Sequence, residues 1–244
     1  QTGYQHRFFV DGDIVVTTKT QTPAKNLLFG FLGRGGKGLF ALDVTTPDSF
    51  AATNVLWEID GTDDDMGYLL GRPLITKVKT GTSTEATVLV FGNGYNSTSG
   101  KAAVFIYKTD GTLLKKLSTG VGTTSNPNGM ATPNVVTDTN GYAQTIYAGD
   151  LMGNVWKFNI SDTSTSKWDS ALKSGSAAAP LFTAKDADGK AQPITAPITS
   201  YINEMVGDTH NGKRFLFFGT GKYMGSEDPN AKDTQTMYAL IDEG

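Results

Sequence analysis

A unit of about sixty residues recurs along the chain, and this repeat limits the possible folds more than any other feature. In each copy an apolar strand runs into a glycine, the chain turns, and an aromatic-rich strand returns. The copies are Leu27-Leu28-Phe29-Gly30 with Gly38-Leu39-Phe40-Ala41-Leu42-Asp43, and Val88-Leu89-Val90-Phe91-Gly92 with Ala103-Val104-Phe105-Ile106-Tyr107. They continue as Ile146-Tyr147-Ala148-Gly149 with Asn154-Val155-Trp156-Lys157-Phe158-Asn159, and Phe215-Leu216-Phe217-Phe218-Gly219 with Thr236-Met237-Tyr238-Ala239-Leu240-Ile241-Asp242. The four glycines fall 62, 57 and 70 residues apart. A further segment precedes each copy, and its Asp13, Pro73, Pro133 and Pro197 are spaced 60, 60 and 64. Three copies are followed by a last segment: Val55-Leu56-Trp57-Glu58-Ile59, Thr112-Leu113-Leu114-Lys115-Lys116-Leu117 and Pro180-Leu181-Phe182-Thr183. The fourth copy lacks one.

Four antiparallel strands per repeat make the blade of a β-propeller. WD40 blades run ~40–45 residues and kelch blades ~50, so a period near 60 points to the longer, quinoprotein-like type. The expected fold is all-β: a β-propeller of quinoprotein-like type with about four such four-stranded blades. Rings of this type normally have more blades, so residues 1–244 are read as one propeller domain or part of one, within a ring of about seven. An incomplete ring leaves strand edges open, and the piece is expected to be stable only in a longer chain or an assembly. The glycine ending each apolar strand is expected to serve a positive-φ connection. Residues 167–173 are the one stretch that reads as a short helical turn.

Composition narrows the function. With 21 Lys+Arg against 24 Asp+Glu, the net charge of −3 is too balanced for a chain that neutralises many phosphates or coats an anionic membrane. Charged residues are 18%, below the usual ~25%. The difference is taken up by 29 Gly and 33 Thr, which favours strands and tight turns. There is no cysteine, which excludes disulfides, Cys-ligated zinc, iron–sulfur clusters and a thiol nucleophile. No apolar run approaches the ~20 residues of a membrane-spanning helix. The chain opens on Gln1, as expected of a processed product or a piece of a longer protein.

Few motifs carry chemistry. His6 and His210 lie in no ligand spacing. Gly33-Arg34-Gly35-Gly36-Lys37-Gly38 matches a dinucleotide fingerprint only formally, because the following segment reads as a strand; a glycine-rich hairpin is expected. Trp57, Trp156 and Trp168 are expected to pack between blades. Three acidic segments are metal candidates: Asp63-Asp64-Asp65, Asp186-Ala187-Asp188-Gly189 and Asp138-Thr139-Asn140-Gly141. The last opens like a calcium loop, but its fifth and ninth positions are Tyr142 and Ile146, so an Asx-type hairpin turn competes with the metal reading.

Several segments, in order, resemble the C-terminal propeller of the PilC/PilY family of type IV pilus biogenesis and tip adhesin proteins. They are His6-Arg7-Phe8-Phe9-Val10-Asp11-Gly12, the Gly33–Gly38 stretch running on to Thr45, Val55-Leu56-Trp57-Glu58 and Phe91-Gly92-Asn93-Gly94-Tyr95-Asn96-Ser97. The most specific is Tyr147-Ala148-Gly149-Asp150-Leu151-Met152-Gly153-Asn154-Val155-Trp156-Lys157-Phe158, followed by Phe218-Gly219-Thr220-Gly221-Lys222-Tyr223 and Gln235-Thr236-Met237-Tyr238. The resemblance implies a modified quinoprotein-like propeller without quinone chemistry. It implies a non-enzymatic role outside a Gram-negative cell, at the pilus tip or outer-membrane surface, promoting pilus extension and adhesion. The implied partners are minor pilins of the pilus tip and a host-cell or abiotic surface receptor, with no nucleic acid and no transmembrane segment. Some members carry a calcium loop just before the Tyr-Ala-Gly-Asp segment; here Asp138 and Asn140 match its first two positions, the later acids are missing and the loop is shorter. The resemblance therefore implies, at most, a degenerate calcium site at Asp138 and Asn140. Two other readings compete. One is a quinoprotein-like dehydrogenase, whose quinone sites often sit near a vicinal Cys pair that this chain lacks. The other is a glycan-binding propeller using loops 93–100, 123–128 and 227–233.

Overall fold

A computed structural model describes residues 3–243. Blade 1 is an antiparallel sheet of β1 (Ile14–Val16), β2 (Leu27–Phe31), β3 (Gly38–Asp43) and β4 (Val55–Asp60), in that order. Blade 2 repeats it with β5 (Leu74–Lys79), β6 (Glu85–Gly92), β7 (Ala103–Lys108) and β8 (Leu113–Ser118). Blade 3 has β9 (Asn134–Thr137), β10 (Ala143–Gly149) and β11 (Asn154–Asn159), with a divided outer position. There β12 (Asp169–Ser170) pairs with the end of β11 and β15 (Phe182–Thr183) with its start. Between them β13 (Lys173–Ser174) and β14 (Ala177–Ala178) form a separate hairpin. Blade 4 has three strands, β16 (Thr199–Ile202), β17 (Arg214–Gly219) and β18 (Met237–Asp242), and among the described residues no outer one.

The structure is the expected all-β set of blades, with two local differences. The turn expected over 167–173 is a 3-10 turn at Thr165–Lys167, and the rest of that stretch holds β12 and the first residue of β13. The strand-end glycines Gly30, Gly92, Gly149 and Gly219 are absent from the positive-φ set. Two of them are needed for close approach. A Cβ on Gly92 would lie 2.1 Å from the Ala131 carbonyl oxygen, and one on Gly149 would lie 2.2 Å from Ile194 Cγ2. Both neighbours belong to the chain entering the next blade, so the missing side chain sets the spacing between blades.

The faces of the sheets make three cores. Phe29, Phe31, Leu39 and Ala41 of blade 1 meet Leu89, Phe91 and Phe105 of blade 2. Val88, Val90, Val104 and Ile106 of blade 2 meet Ile146, Ala148, Trp156 and Phe158 of blade 3, with Trp168 against them. Tyr147 and Val155 of blade 3 meet Leu216 and Phe218 of blade 4. Trp57 packs at the first junction and donates from Nε1 to the Thr109 carbonyl of blade 2 at 3.1 Å. Burying both faces explains why β6 and β7 read as nearly unbroken apolar runs. The outer faces of the end blades lack such cover: Ile14 and Val16 of β1 are 55% and 45% exposed, and Tyr201 and Phe217 of blade 4 are 60% and 38% exposed. Among the described residues no core joins blade 4 to blade 1.

Candidate functional site

Asp138 sits at the hairpin turn between β9 and β10. Its Oδ1 accepts the amides of Asn140 and Tyr142, each at 2.9 Å, and its Oδ2 accepts Gln144 Nε2 at 3.4 Å. The Asp138 amide donates to the Tyr142 carbonyl at 2.8 Å, the Gly141 amide donates back at 3.0 Å, and Gly141 has φ 82°. This is a three-residue hairpin loop closed by a left-handed glycine. The same two backbone bonds close the turns at 108–112, 150–154 and 186–190, with Gly111, Gly153 and Gly189 at φ 87°, 79° and 80°. The 108–112 turn begins with a lysine, so its frame forms with no carboxylate in first position. Asp138 thus caps the backbone of its own turn. A calcium ion takes six to eight oxygens. This turn offers one carboxylate, with both oxygens already occupied, and among the described residues no three His, Cys, Asp or Glu side chains gather as a metal group. The residues present do not fit calcium. The turn instead positions Tyr142, whose hydroxyl donates to Glu85 Oε2 and whose ring lies 5.0 Å from Lys79 Nζ, both on blade 2. That hydroxyl, with Lys77 beside it, holds the Glu85 carboxyl below its ordinary range.

The other candidates also resolve into structure. Lys116 Nζ lies 2.9 Å from both Asp63 Oδ1 and Asp65 Oδ2, so a cation already occupies that acidic segment. Burial pushes the Asp65 carboxyl up, but the Ser99 hydroxyl and Lys116 outweigh it and the net shift is downward. Asp186 caps the amides of Asp188 and Lys190 as Asp138 does its own. The glycine-rich segment is the β2–β3 connection, with a 3-10 turn at Gly33–Gly35 and a strand after it. His6 packs edge-on against Phe8, and His210 is exposed beside Asp208.

Sequence reasoning singled out the segment around Asp150 but gave this residue no role. Asp150 is fully buried. Oδ1 accepts the amides of Met152 and Asn154, each at 2.9 Å. Oδ2 accepts Asn128 Nδ2 at 2.8 Å, Asn154 Nδ2 at 2.9 Å and Trp156 Nε1 at 2.8 Å. All five donors are neutral. Asp150 ties the β10–β11 turn to the connection arriving from blade 2. Asn93 holds the corresponding place in blade 2, donating to the carbonyls of Asp65 and Lys101 and accepting the amides of Ala103 and Met130. The signal was present in sequence: each residue directly follows the strand-end glycine of its copy.

The ends of β2, β6, β10 and β17 carry their loops to one side of the molecule. Here the loops named as contact candidates converge. Tyr95 and Asn96, Pro127, and Lys222, Met224, Gly225 and Asp228 line one cavity of about 450 Å³. It shares Leu151 and Met224 with a central cavity of about 550 Å³ reached by all four blades. Asp228 Oδ2 accepts the amides of Met224 at 2.6 Å and Gly225 at 2.8 Å, which hold its carboxyl below the usual range. Lys222 Nζ lies 3.2 Å from Asp228 Oδ1. Arg34 of blade 1 donates to the Met224 carbonyl at 3.0 Å, bracing the loop across the central cavity.

A family model described as the PilY1 beta-propeller domain matches residues 1–244. The chain belongs to the PilY1 propeller family. A type IV pilus biogenesis factor PilY1 homolog of Xylella fastidiosa is 37% identical over 254 residues, covering 99% of this chain and 17% of that protein. The type IV pilus biogenesis factor PilY1 of Pseudomonas aeruginosa PAO1 is 37% identical over 263 residues, covering 99% and 21%. The solved PilY1 C-terminal domain of Pseudomonas aeruginosa superposes with a TM-score of 0.79 at 34% identity, over 97% of this chain and 50% of that one. The chain therefore spans half of that solved domain and about a fifth of the curated relatives. The segments that resembled the family meet in space. The strap before β1 crosses the glycine-rich loop: Arg34 N donates to Asp11 Oδ1 at 2.6 Å, its guanidinium lies 5.5 Å from the Phe8 ring, and a Cβ on Gly35 would strike the Phe9 carbonyl at 1.6 Å. Only glycine admits that crossing in a PilY1 propeller built this way.

Proposed function

We propose that this chain is the non-enzymatic propeller module of a type IV pilus biogenesis factor, acting at the pilus tip or outer-membrane surface. It promotes pilus extension and contacts surfaces or host cells, with minor pilins as its assembly partners. The observation carrying this reading is the match of the whole chain to the PilY1 propeller, whose curated relatives are named as type IV pilus biogenesis factors. Asp138 caps its own turn, Asp150 ties blade 3 to the connection from blade 2, and Asp63 and Asp65 pair with Lys116, all of which supports a scaffold more than a catalyst. We also read the four blades as an arc of a larger ring, because the outer faces of blades 1 and 4 are apolar and uncovered. The test is fractionation: pili sheared from cells should carry the protein. The same pili sheared from a strain whose copy lacks residues 1–244 should be fewer and free of it. Normal pili with the protein confined to the cell interior would sink the reading.

A further inference from the structure

We propose that the cavity between Tyr95, Asn96, Pro127, Lys222 and Asp228 binds a neutral saccharide. Its volume of about 450 Å³ suits a small ring ligand. Its walls are of two kinds. Tyr95, Pro127, Leu151 and Met224 offer apolar surfaces, and Tyr95 is backed by Tyr68 at a ring distance of 5.4 Å. Against these stand Asn96, with an amide donor and acceptor, and the Lys222–Asp228 pair, with a donor and an acceptor side by side. The charges of that pair cancel, which disfavours phosphates and acidic chains. Flat C–H faces with neighbouring hydroxyls match both kinds of wall.

A second observation marks the same loop as built for a ligand. Among the described residues, Asn96 is the only non-glycine at positive φ, 57°. Its exposed amide makes no hydrogen bond among those residues, while its neighbour Ser97 holds the one buried side-chain oxygen without a partner. A non-glycine held in the left-handed region is uncommon, and such residues collect at ligand clamps; here it is Asn96, a residue of the cavity wall. The polar arm opposite is preorganised by the Met224 and Gly225 amides and by Arg34. The inference rests on the adhesive reading for its biological meaning only.

The experiment is saturation-transfer NMR on the full natural protein with galactose, N-acetylglucosamine and lactose at millimolar concentration. At least one should give signal. Asn96→Gly keeps the left-handed backbone and removes only the amide, so binding should weaken about fivefold, the loss of one hydrogen bond. Tyr95→Ala should abolish it, and Lys167→Ala, remote from the cavity, should leave it unchanged. Silence from all three sugars, signal indifferent to both cavity variants, or binding of a proline-rich peptide in place of sugars would overturn the proposal. Scoring pili on the same Asn96→Gly cells separates the two readings: normal pili are expected whether or not sugar binding is lost.

Discussion

Replacing Asp150 by Asn changes one atom and should cost more than any surface substitution in the chain. The new side chain keeps an oxygen for the Met152 and Asn154 amides. It puts an NH₂ where Oδ2 accepted Asn128 Nδ2, Asn154 Nδ2 and Trp156 Nε1. Three donors then face a fourth donor in a fully buried place. An orphaned buried donor costs ~1–3 kcal/mol, and partial relaxation of Asn154 brings the sum to roughly 3–5 kcal/mol. That is a large share of the ~5–15 kcal/mol that holds a domain folded. The internal control is Asp186→Asn, in a turn of the same frame at the surface, where water replaces what is lost and the change should stay within about 1 kcal/mol. Urea unfolding of the full natural protein, followed by the fluorescence of buried Trp156, measures both. A loss under about 1 kcal/mol for Asp150→Asn, or equal losses for the two variants, would refute the assignment of Asp150 as the tie between blades 2 and 3.

Four further outcomes follow from the same geometry. Asp138→Ala should lower stability by about 1 kcal/mol through the loss of its turn cap, and calcium should leave the melting temperature of both forms unchanged; a calcium-dependent rise abolished by the substitution would show a working site. Gly92→Ala should cost at least ~2 kcal/mol, because its Cβ would meet backbone and not a yielding side chain; wild-type stability would contradict the close-approach argument. Asp43 is held at about 2 by the Thr45 hydroxyl and then Lys25, so its depressed folded value contributes stability above the unfolded value near ~4, lost as pH falls through about 2. Thr45→Val should move that titration upward by carboxyl NMR, and an unmoved titration would remove Thr45 as the cause. Residues 1–244 alone should self-associate through Tyr201 and Phe217, and serine at both should reduce this; a monodisperse, cooperatively melting wild-type segment would argue against the open arc.

The repeat was legible because each blade repeats the same apolar strand, glycine and aromatic-rich return strand, and in the inner blades both faces of those strands pack against neighbours. Where a blade departs from the plan the reading failed locally. The outer position of blade 3 is filled by two short pieces separated by a hairpin, and Asp169 and Ser170 alone carry no strand signal. The strand-end glycines were legible as a pattern but not in their cause, since the reason lies in the next blade and not in their own φ. Asp63, Asp64 and Asp65 read as a cation site because their counter-ion, Lys116, arrives from a strand some fifty residues on. Likewise, loops 93–100, 123–128 and 227–233 were named singly. Their meeting at one cavity depends on blade order, which short-range patterns do not contain.

The proposed role requires that pili persist at the cell surface only when this propeller is present. The direct measurement is surface pilin in a strain lacking the protein, complemented with the whole protein or with one missing residues 1–244, in cells able and unable to retract pili. Few or no pili are expected without the propeller in retracting cells, with recovery only from the whole protein. Full piliation and adhesion from the truncated protein would contradict it.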